Sequence, residues 1–464
     1  MRGRALLVIG ALFCVLAAFM PGAVRAQSAT EPLAMSGTLR AGQAGEVPYS
    51  AIRPAKWNGT LIVDLDFIEW NQAQRQWFLD RGYAIGGTRR NQNESAYNIR
   101  EIVDNLLEVR RLLTDRAGAA PRRTIAFGVS RGAIVGRSAI DLHPEIFNAA
   151  VVFSGGGAGV VGYLQTKLDA MFALKTLVDP ASPMALVHVP RPKAGGAQES
   201  AYAAMMEKAK STPQGRARLV LAAAFDQQPR WSMRQSEKPA PDDFDAQATH
   251  MIAGLNPNQG PRWQVEVLNG GNVSWNHSVD YRAALDRSGV ADVVRDQYRK
   301  AGLNLDADLE TLAKAPRISA DPEAVARAER NVSYTGKIRG PVLSVKTVGD
   351  PADPPATDTA YSQTLERAGT RDLLRNVYVE RPGHATMSLL EKIAGFQAIV
   401  DRLDRGTWDD EAALPATLNA LSEKLAHESQ ADLGTSRFVI YKPAQALRTW
   451  DFTNFGTYRP SATR

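Results

Sequence analysis

Between residues 60 and 153 the chain switches repeatedly between short apolar runs and amphipathic stretches, with few residues in between. Residues 60–63 (TLIV) read as a buried strand, 71–82 as a helix ending at Gly82, and 83–88 as a second strand. Apolar positions Ile99, Ile102, Val103, Leu106, Val109 and Leu113 recur at intervals of three and four, which predicts a helix over 97–116 closed by Gly118 and Pro121. A strand at 124–127, a helix at 131–142 and a strand at 149–153 complete the run. Continuously apolar strands separated by helices imply a mostly parallel sheet covered on both faces, an α/β fold. Right-handed crossovers then leave few possible topologies.

The rhythm stops at Gly155-Gly156-Gly157. Residues 160–337 read as mainly helical, and the alternation resumes with a strand at 341–348, a helix at 358–368, a strand at 377–379 and a helix at 387–404. The expected organisation is one catalytic α/β domain made of 27–159 and 338–410, with 160–337 inserted as a helical cap. Residues 411–464 form a C-terminal extension with a helix near 415–428 and a strand at 438–441. The segment before residue 60 is rich in Gly and Pro with short alternating runs, and is expected to be a hairpin.

Residues 1–26 have a basic start (Arg2, Arg4), an almost wholly apolar stretch over 5–20, and Val24-Arg25-Ala26 before Gln27. This is the layout of a secretory signal peptide. An uncleaved anchor is the competing reading, but the apolar run is short against the roughly 20 residues a spanning helix needs. The expected location is therefore exported, periplasmic or extracellular in a bacterium, with no membrane span after processing. Cys14 is the single cysteine and lies inside the signal, so the processed chain has no disulfide, thiolate nucleophile or cysteine metal site. The formal charge of +6 falls to +3 without Arg2, Arg4 and Arg25. With no basic block, nucleic-acid binding is not expected.

The segment TIAFGVSRGAIVG, residues 124–136, holds Gly128-Val129-Ser130-Arg131-Gly132 between a predicted strand and a predicted helix. G-x-S-x-G in that setting makes a sharp turn that exposes the serine hydroxyl at the carboxyl edge of the sheet. The glycines let strand and helix approach, and the Arg131 N–H at the helix start can face a developing oxyanion. A serine needs a base. His384, in NVYVERPGHATMS, follows the last expected strand, whereas His143 sits at a helix end and His277 lies in the insertion. An acid must orient the imidazole. VLSVKTVGDPADPPATD offers Asp350 just past a strand, with Asp353 as the alternative; calcium-loop spacing is absent.

The chain order Ser130, Asp350, His384, with G-x-S-x-G at a strand–helix junction, resembles the α/β-hydrolase superfamily. KWNGTLIV, RGYAIGGT, HPEIFNAAVVFSGG and GDPADPP are also similar to secreted bacterial members of it. The resemblance implies a Ser–His–Asp acyl-transfer enzyme, an esterase, amidase, peptidase or acyltransferase, with the cap inserted after the sixth strand. Many relatives carry His-Gly after the third strand to supply a second oxyanion N–H. This chain has Val63-Asp64-Leu65-Asp66-Phe67 there, and the N–H near Phe67 is the candidate.

The expected function is hydrolysis of a small carboxylic ester through an acyl-enzyme on Ser130, with His384 as base and Asp350 holding it. An amidase or peptidase with the same three residues is the first alternative, and a hydrolase-like binding protein without turnover the second. No metal or organic cofactor is expected, because H-E-x-x-H, the dinucleotide fingerprint and the P-loop are all missing. Trp231, Trp263 and Trp275 of the insertion are candidates for an acyl pocket, with core packing as the other reading.

Overall fold

The computed structural model describes residues 31–448 apart from 258, 278, 333 and 430. The signal peptide expected over 1–26 lies outside the described residues, as does the end of the C-terminal extension. Nine strands form one sheet: β1 (Leu33–Ala41), β2 (Gly45–Arg53), β3 (Thr60–Asp64), β4 (Ala84–Thr88), β5 (Arg123–Val129), β6 (Ala149–Phe153), β7 (Val342–Gly349), β8 (Leu374–Pro382) and β9 (Phe438–Val439). Their spatial order is β1-β2-β4-β3-β5-β6-β7-β8-β9. The six strands from β4 to β8 in that order run parallel, and β1, β2 and β9 are antiparallel additions at the two edges.

The expected alternation is present. Helices α1 (Gln72–Asp80), α2 (Ile99–Ala117) and α3 (Arg131–Leu142) connect β3 to β4, β4 to β5 and β5 to β6. Along each central strand alternate residues go to opposite faces. Leu61, Val63, Ala126, Ala150 and Val152 pack with α2 and α3. Ile62, Ile125, Phe127, Val151, Phe153, Leu343 and Val345 pack on the other face. Both faces are thus buried, which is why these strands read as unbroken apolar runs. Each fully buried Val, Ile, Leu or Phe contributes about 1.5–3 kcal/mol.

Nine helices occupy the described residues between β6 and β7: α4 (Gly159–Val178), α5 (Ala197–Lys210), α6 (Pro213–Phe225), α7 (Phe244–Gly254), α8 (Gln259–Asn269), α9 (Tyr281–Arg287), α10 (Ala291–Lys300), α11 (Leu305–Lys314) and α12 (Pro322–Val332). Most of them surround a second apolar core that includes Phe172, Leu219, Leu221, Phe225, Met251 and Tyr298. Val265, Val273, Ala324 and Val325 instead join the core on the α2–α3 face of the sheet, which ties the end of the insertion to the sheet layer.

Three further helices, α13 (Thr357–Ala368), α14 (Leu389–Arg405) and α15 (Leu414–Glu428), follow β7, β8 and α14 respectively. Two elements differ in extent from the sequence reading. β8 runs over Leu374–Pro382 rather than 377–379, because Arg375 and Asn376 pair with Leu343 and Ser344 although they are polar. The strand expected over 438–441 is two residues long, Phe438–Val439, since only these pair with β8. Beyond β9 the chain passes over α13, where Ala446 N–H donates to Thr359 Oγ1 (2.8 Å), and reaches the insertion, where Leu447 N–H donates to Gln227 Oε1 (2.9 Å) and Arg448 Nη1 pairs with Asp169 of α4 (2.7 Å).

The chain reverses direction across the sheet at β3, since β4 lies on one side of it and β5 on the other. The carboxyl ends of strands around such a switch are where open α/β sheets form their clefts. β5 and α3 come together there with no room to spare: a Cβ on Gly128 would overlap the carbonyl of Gly132. Gly128→Ala is therefore expected to cost about 1–3 kcal/mol, measured by denaturant titration, and to reduce any activity that depends on Ser130 in parallel.

Candidate active site

Ser130 stands between the last residue of β5 and the first of α3, with φ 59° and ψ −117°. A side chain other than glycine is strained there, at a typical cost of about 1–3 kcal/mol. Three neighbours enforce the turn. Ser130 N–H donates to Phe153 O of β6 (2.9 Å), Ala133 N–H donates to Ser130 O (2.9 Å), and Gly155 lies so close that a Cβ would overlap the Ser130 carbonyl. The hydroxyl is thereby held at the carboxyl edge of the sheet.

Asp350 is the residue after β7, and His384 is two residues past β8. β7 and β8 pair in parallel, so their ends lie side by side. The two loops are also fastened together: Gly383 N–H donates to Gly349 O (2.8 Å), and Thr347 Oγ1 donates to Gly383 O (2.7 Å). From the other end, α14 opens with a capping box in which Ser388 and Glu391 bond reciprocally. The fully buried Glu391 carboxylate also takes Arg381 Nε (3.0 Å) and Arg437 N–H (2.9 Å). The loop carrying His384 is thus fixed at both ends.

These constraints bring three side chains separated by up to 254 positions into line. His384 Nε2 lies 2.8 Å from Ser130 Oγ, and His384 Nδ1 lies 2.9 Å from each oxygen of Asp350. Asp350 is fully buried, and its Oδ1 accepts the N–H groups of Ala352 and Asp353, both at 3.0 Å. Asp353, the competing acid of the sequence reading, faces Lys346 Nζ at 2.8 Å. Burial disfavours the protonated imidazole of His384, but the hydrogen bond and charge of Asp350, with the charge of Asp353, outweigh it and raise the pKa above the ordinary value of 6.5.

A sheet ordered 1-2-4-3-5-6-7-8, with a strained serine after β5, an acid after β7 and a histidine after β8, settles the architecture. The chain has the α/β-hydrolase fold. No protein-family model matches it. It is similar to an o-phthalyl amidase of Xanthobacter agilis, 28% identical over 455 residues that cover 90% of this chain and 96% of that one. Similar solved structures include feruloyl esterase B from Aspergillus oryzae (TM-score 0.41, 11% identity, 81% of each chain). Candida antarctica lipase A in its closed state is another (TM-score 0.38, 12% identity, 90% of each chain).

In this fold, Ser130 and His384 open into a cavity of about 70 Å³, lined also by Tyr97, Arg131, Ile134, Val160, Tyr163 and Asp353. Two tyrosines thus stand where the sequence reading considered tryptophans. Trp231 donates from Nε1 to Ser236, Trp263 has Arg191 over its ring at 5.2 Å, and Trp275 packs against the sheet-side core; none of the three lines this cavity. Tyr97 and Tyr163 had no sequence signal beyond their positions, just before α2 and in the second turn of α4. His143 faces Glu145 at the end of α3, and His277 bonds Ser319.

The first N–H groups of a helix have no intrahelical acceptor, so Arg131 N–H at the start of α3 is available to an oxyanion. The 63–67 segment contributes nothing to the cavity lining. Phe67 is fully buried against Trp70 (ring centroids 5.6 Å apart), and its carbonyl accepts Trp70 N–H. Asp64 accepts Trp70 Nε1 at 2.6 Å, and burial followed by the charge of Asp66 raises its pKa to about 7. Among the described residues no cluster of three or more His, Cys, Asp or Glu could hold a metal ion, and no helix is long and apolar enough to cross a membrane.

Beneath the site lies a buried ionic network. Lys346 of β7 reaches Asp353 (2.8 Å) and Asp358 (3.1 Å), and Arg137 of α3 reaches Asp358 (3.4 Å), Ser344 Oγ (2.7 Å) and the carbonyl of Gly155. Removing one member of a buried ion pair typically costs about 3–5 kcal/mol, because the other charge is left without a partner. Lys346→Met should therefore lower unfolding stability by that amount, checked by urea denaturation at neutral pH.

Proposed function

We propose that this protein is an exported serine acyl hydrolase. The observation that carries the reading is the single line of hydrogen bonds from Ser130 Oγ through the His384 ring to Asp350. In it, Ser130 Oγ attacks the scissile carbonyl carbon while His384 Nε2 takes the hydroxyl proton. Asp350 stays ionised, holds Nδ1–H and stabilises the imidazolium. The carbonyl oxygen becomes an oxyanion facing Arg131 N–H. His384 returns its proton to the departing amine or alcohol. Water then attacks the acyl-enzyme by the same route in reverse and releases the acid. Residues 27–159 and 338–410 serve as the catalytic domain, 160–337 as the cap over it, and 411–464 as an extension; residues 1–26 direct export.

Esters are the easier acyl donors, and the sequence reading put them first. The resemblance to an o-phthalyl amidase over nearly the full length of both chains supports amides as substrates alongside esters, and puts phthalyl acyl groups first in a substrate panel.

A fluorophosphonate probe is expected to label the folded protein on Ser130 and to leave Ser130→Ala unlabelled, read by peptide mass spectrometry. Folded wild-type protein that resists the probe would overturn the reading.

The pH dependence follows from His384. Only the neutral imidazole accepts a proton, and its pKa is raised. The acid limb of kcat/KM should accordingly lie above pH 6.5, with activity lost as pH falls through it. In Asp350→Asn the contributions of Asp350 disappear and burial remains, so the limb moves downward while kcat falls by about 10⁴. Rate profiles from pH 5 to 9 test both shifts.

A further inference from the structure

Two of the buried arginines of this chain face a carboxylate. Arg137 lies 3.4 Å from Asp358, and Arg262 lies 3.5 Å from Glu266. Arg90, beside the site, takes both oxygens of Asp66. Arg131 is different. It is 9% exposed, adjoins the nucleophile in sequence and lines the cavity with Ser130, His384 and Tyr97. Among the described residues its guanidinium has only neutral partners. Nη1 donates to Asn91 O (2.8 Å), Nη2 reaches Gln92 Oε1 at 3.4 Å, the outer limit of a hydrogen bond, and the Tyr97 ring lies 4.6 Å away. Its Nε is buried with no hydrogen-bond partner.

A buried cation without a counter-charge is costly, and burial pushes the pKa of Arg131 down accordingly. The start of α3 adds positive potential of the same sign, and Asp66, whose charge reaches Arg131, is already held by Arg90 through both of its oxygens. The carboxylate of Asp353 across the cavity is already held by Lys346 at 2.8 Å. An anion entering the cavity would supply the missing charge and displace the weak Gln92 contact. Tyr97, Ile134, Val160 and Tyr163 offer an apolar and aromatic surface for the body that carries it.

We infer that Arg131 receives a free carboxylate on the acyl group of the substrate, so that the preferred acyl donors are monoamides or monoesters of dicarboxylic acids, aromatic ones foremost. This rests on the acyl-hydrolase reading and adds to it the residue that selects the substrate. The phthalyl group named for the similar amidase is an acyl group of this class.

The test compares phthalic acid mono-4-nitroanilide, which keeps its carboxylate, with the methyl ester of the same anilide, which is neutral. Wild-type protein should favour the anionic substrate in kcat/KM by about tenfold or more. Arg131→Met should bring the ratio to within about twofold, and Arg131→Lys should retain part of it. Gln92→Glu, at an exposed position, places an internal carboxylate against the guanidinium and should lower the ratio as well. Equal use of both substrates by the wild type, or a preference that survives in Arg131→Met, overturns the inference. If thermal melts show that Arg131→Met does not fold, an unchanged ratio in Gln92→Glu overturns it instead. Equal turnover by a protein that fluorophosphonate labels on Ser130 sinks only the role of Arg131. No labelling and no turnover of either anilide sinks the acyl-hydrolase reading, and this inference with it.

Discussion

The site depends on one close approach, that of β5 to α3. Their backbones meet where Gly128 faces the Gly132 carbonyl with no space for a Cβ on Gly128, and the turn between them leaves Ser130 at positive φ. Relaxing that turn would withdraw the hydroxyl from the sheet edge and separate it from His384. The strain persists because neighbours over-determine it: the Phe153 carbonyl holds Ser130 N–H, and Gly155 packs against the serine carbonyl. Strain at a functional position survives where the surrounding packing is rigid enough to impose it. Here that packing is the doubly covered parallel sheet.

The electrostatics of the site fall into two parts. On the β7 side, three carboxylates lie close together. Asp350 is given to His384, whereas Asp353 and Asp358 are neutralised by Lys346 and Arg137. That division keeps Asp350 aimed at the imidazole and lets its charge raise the pKa of His384. On the α3 side, Arg90 is neutralised by Asp66 and Arg131 is not paired with an acid among the described residues. The cavity therefore has one wall whose acid is already compensated and one wall with a cation still to be satisfied. In the proposed reaction such asymmetry would orient an anionic acyl group before any chemistry begins.

Much of the layout was legible in the chain. Residues such as Ile62, Ile125, Val151 and Leu343 are apolar on both sides of the strand period, which marks strands covered on two faces. G-x-S-x-G between a strand and a helix marked Ser130, and the ends of the two later strands marked Asp350 and His384, which the structure brings within hydrogen-bond distance of one another. The ends of β8 and β9 were less legible, because polar Arg375 and Asn376 pair in the sheet whereas Ile440 and Tyr441 do not. Tyr97 and Tyr163 could not be read as cavity walls, since one lies in the turn before α2 and the other in α4, and these segments meet only over the finished sheet. The tryptophans of the insertion drew attention by size, but size carries no information about which cavity a ring faces.

The sequence by itself determined the order of strands and helices, the sharp turn at Ser130 and the chain order of serine, acid and histidine. These follow from local causes: apolar periodicity, glycine at a tight junction and residues placed just past strand ends. Only the tertiary structure decided between Asp350 and Asp353 as partner of the imidazole, buried Phe67 away from the cavity and left Arg131 without a carboxylate. Those outcomes depend on which charges meet across β7, α3 and α13, elements far apart in the chain, and no local pattern encodes a meeting of that kind.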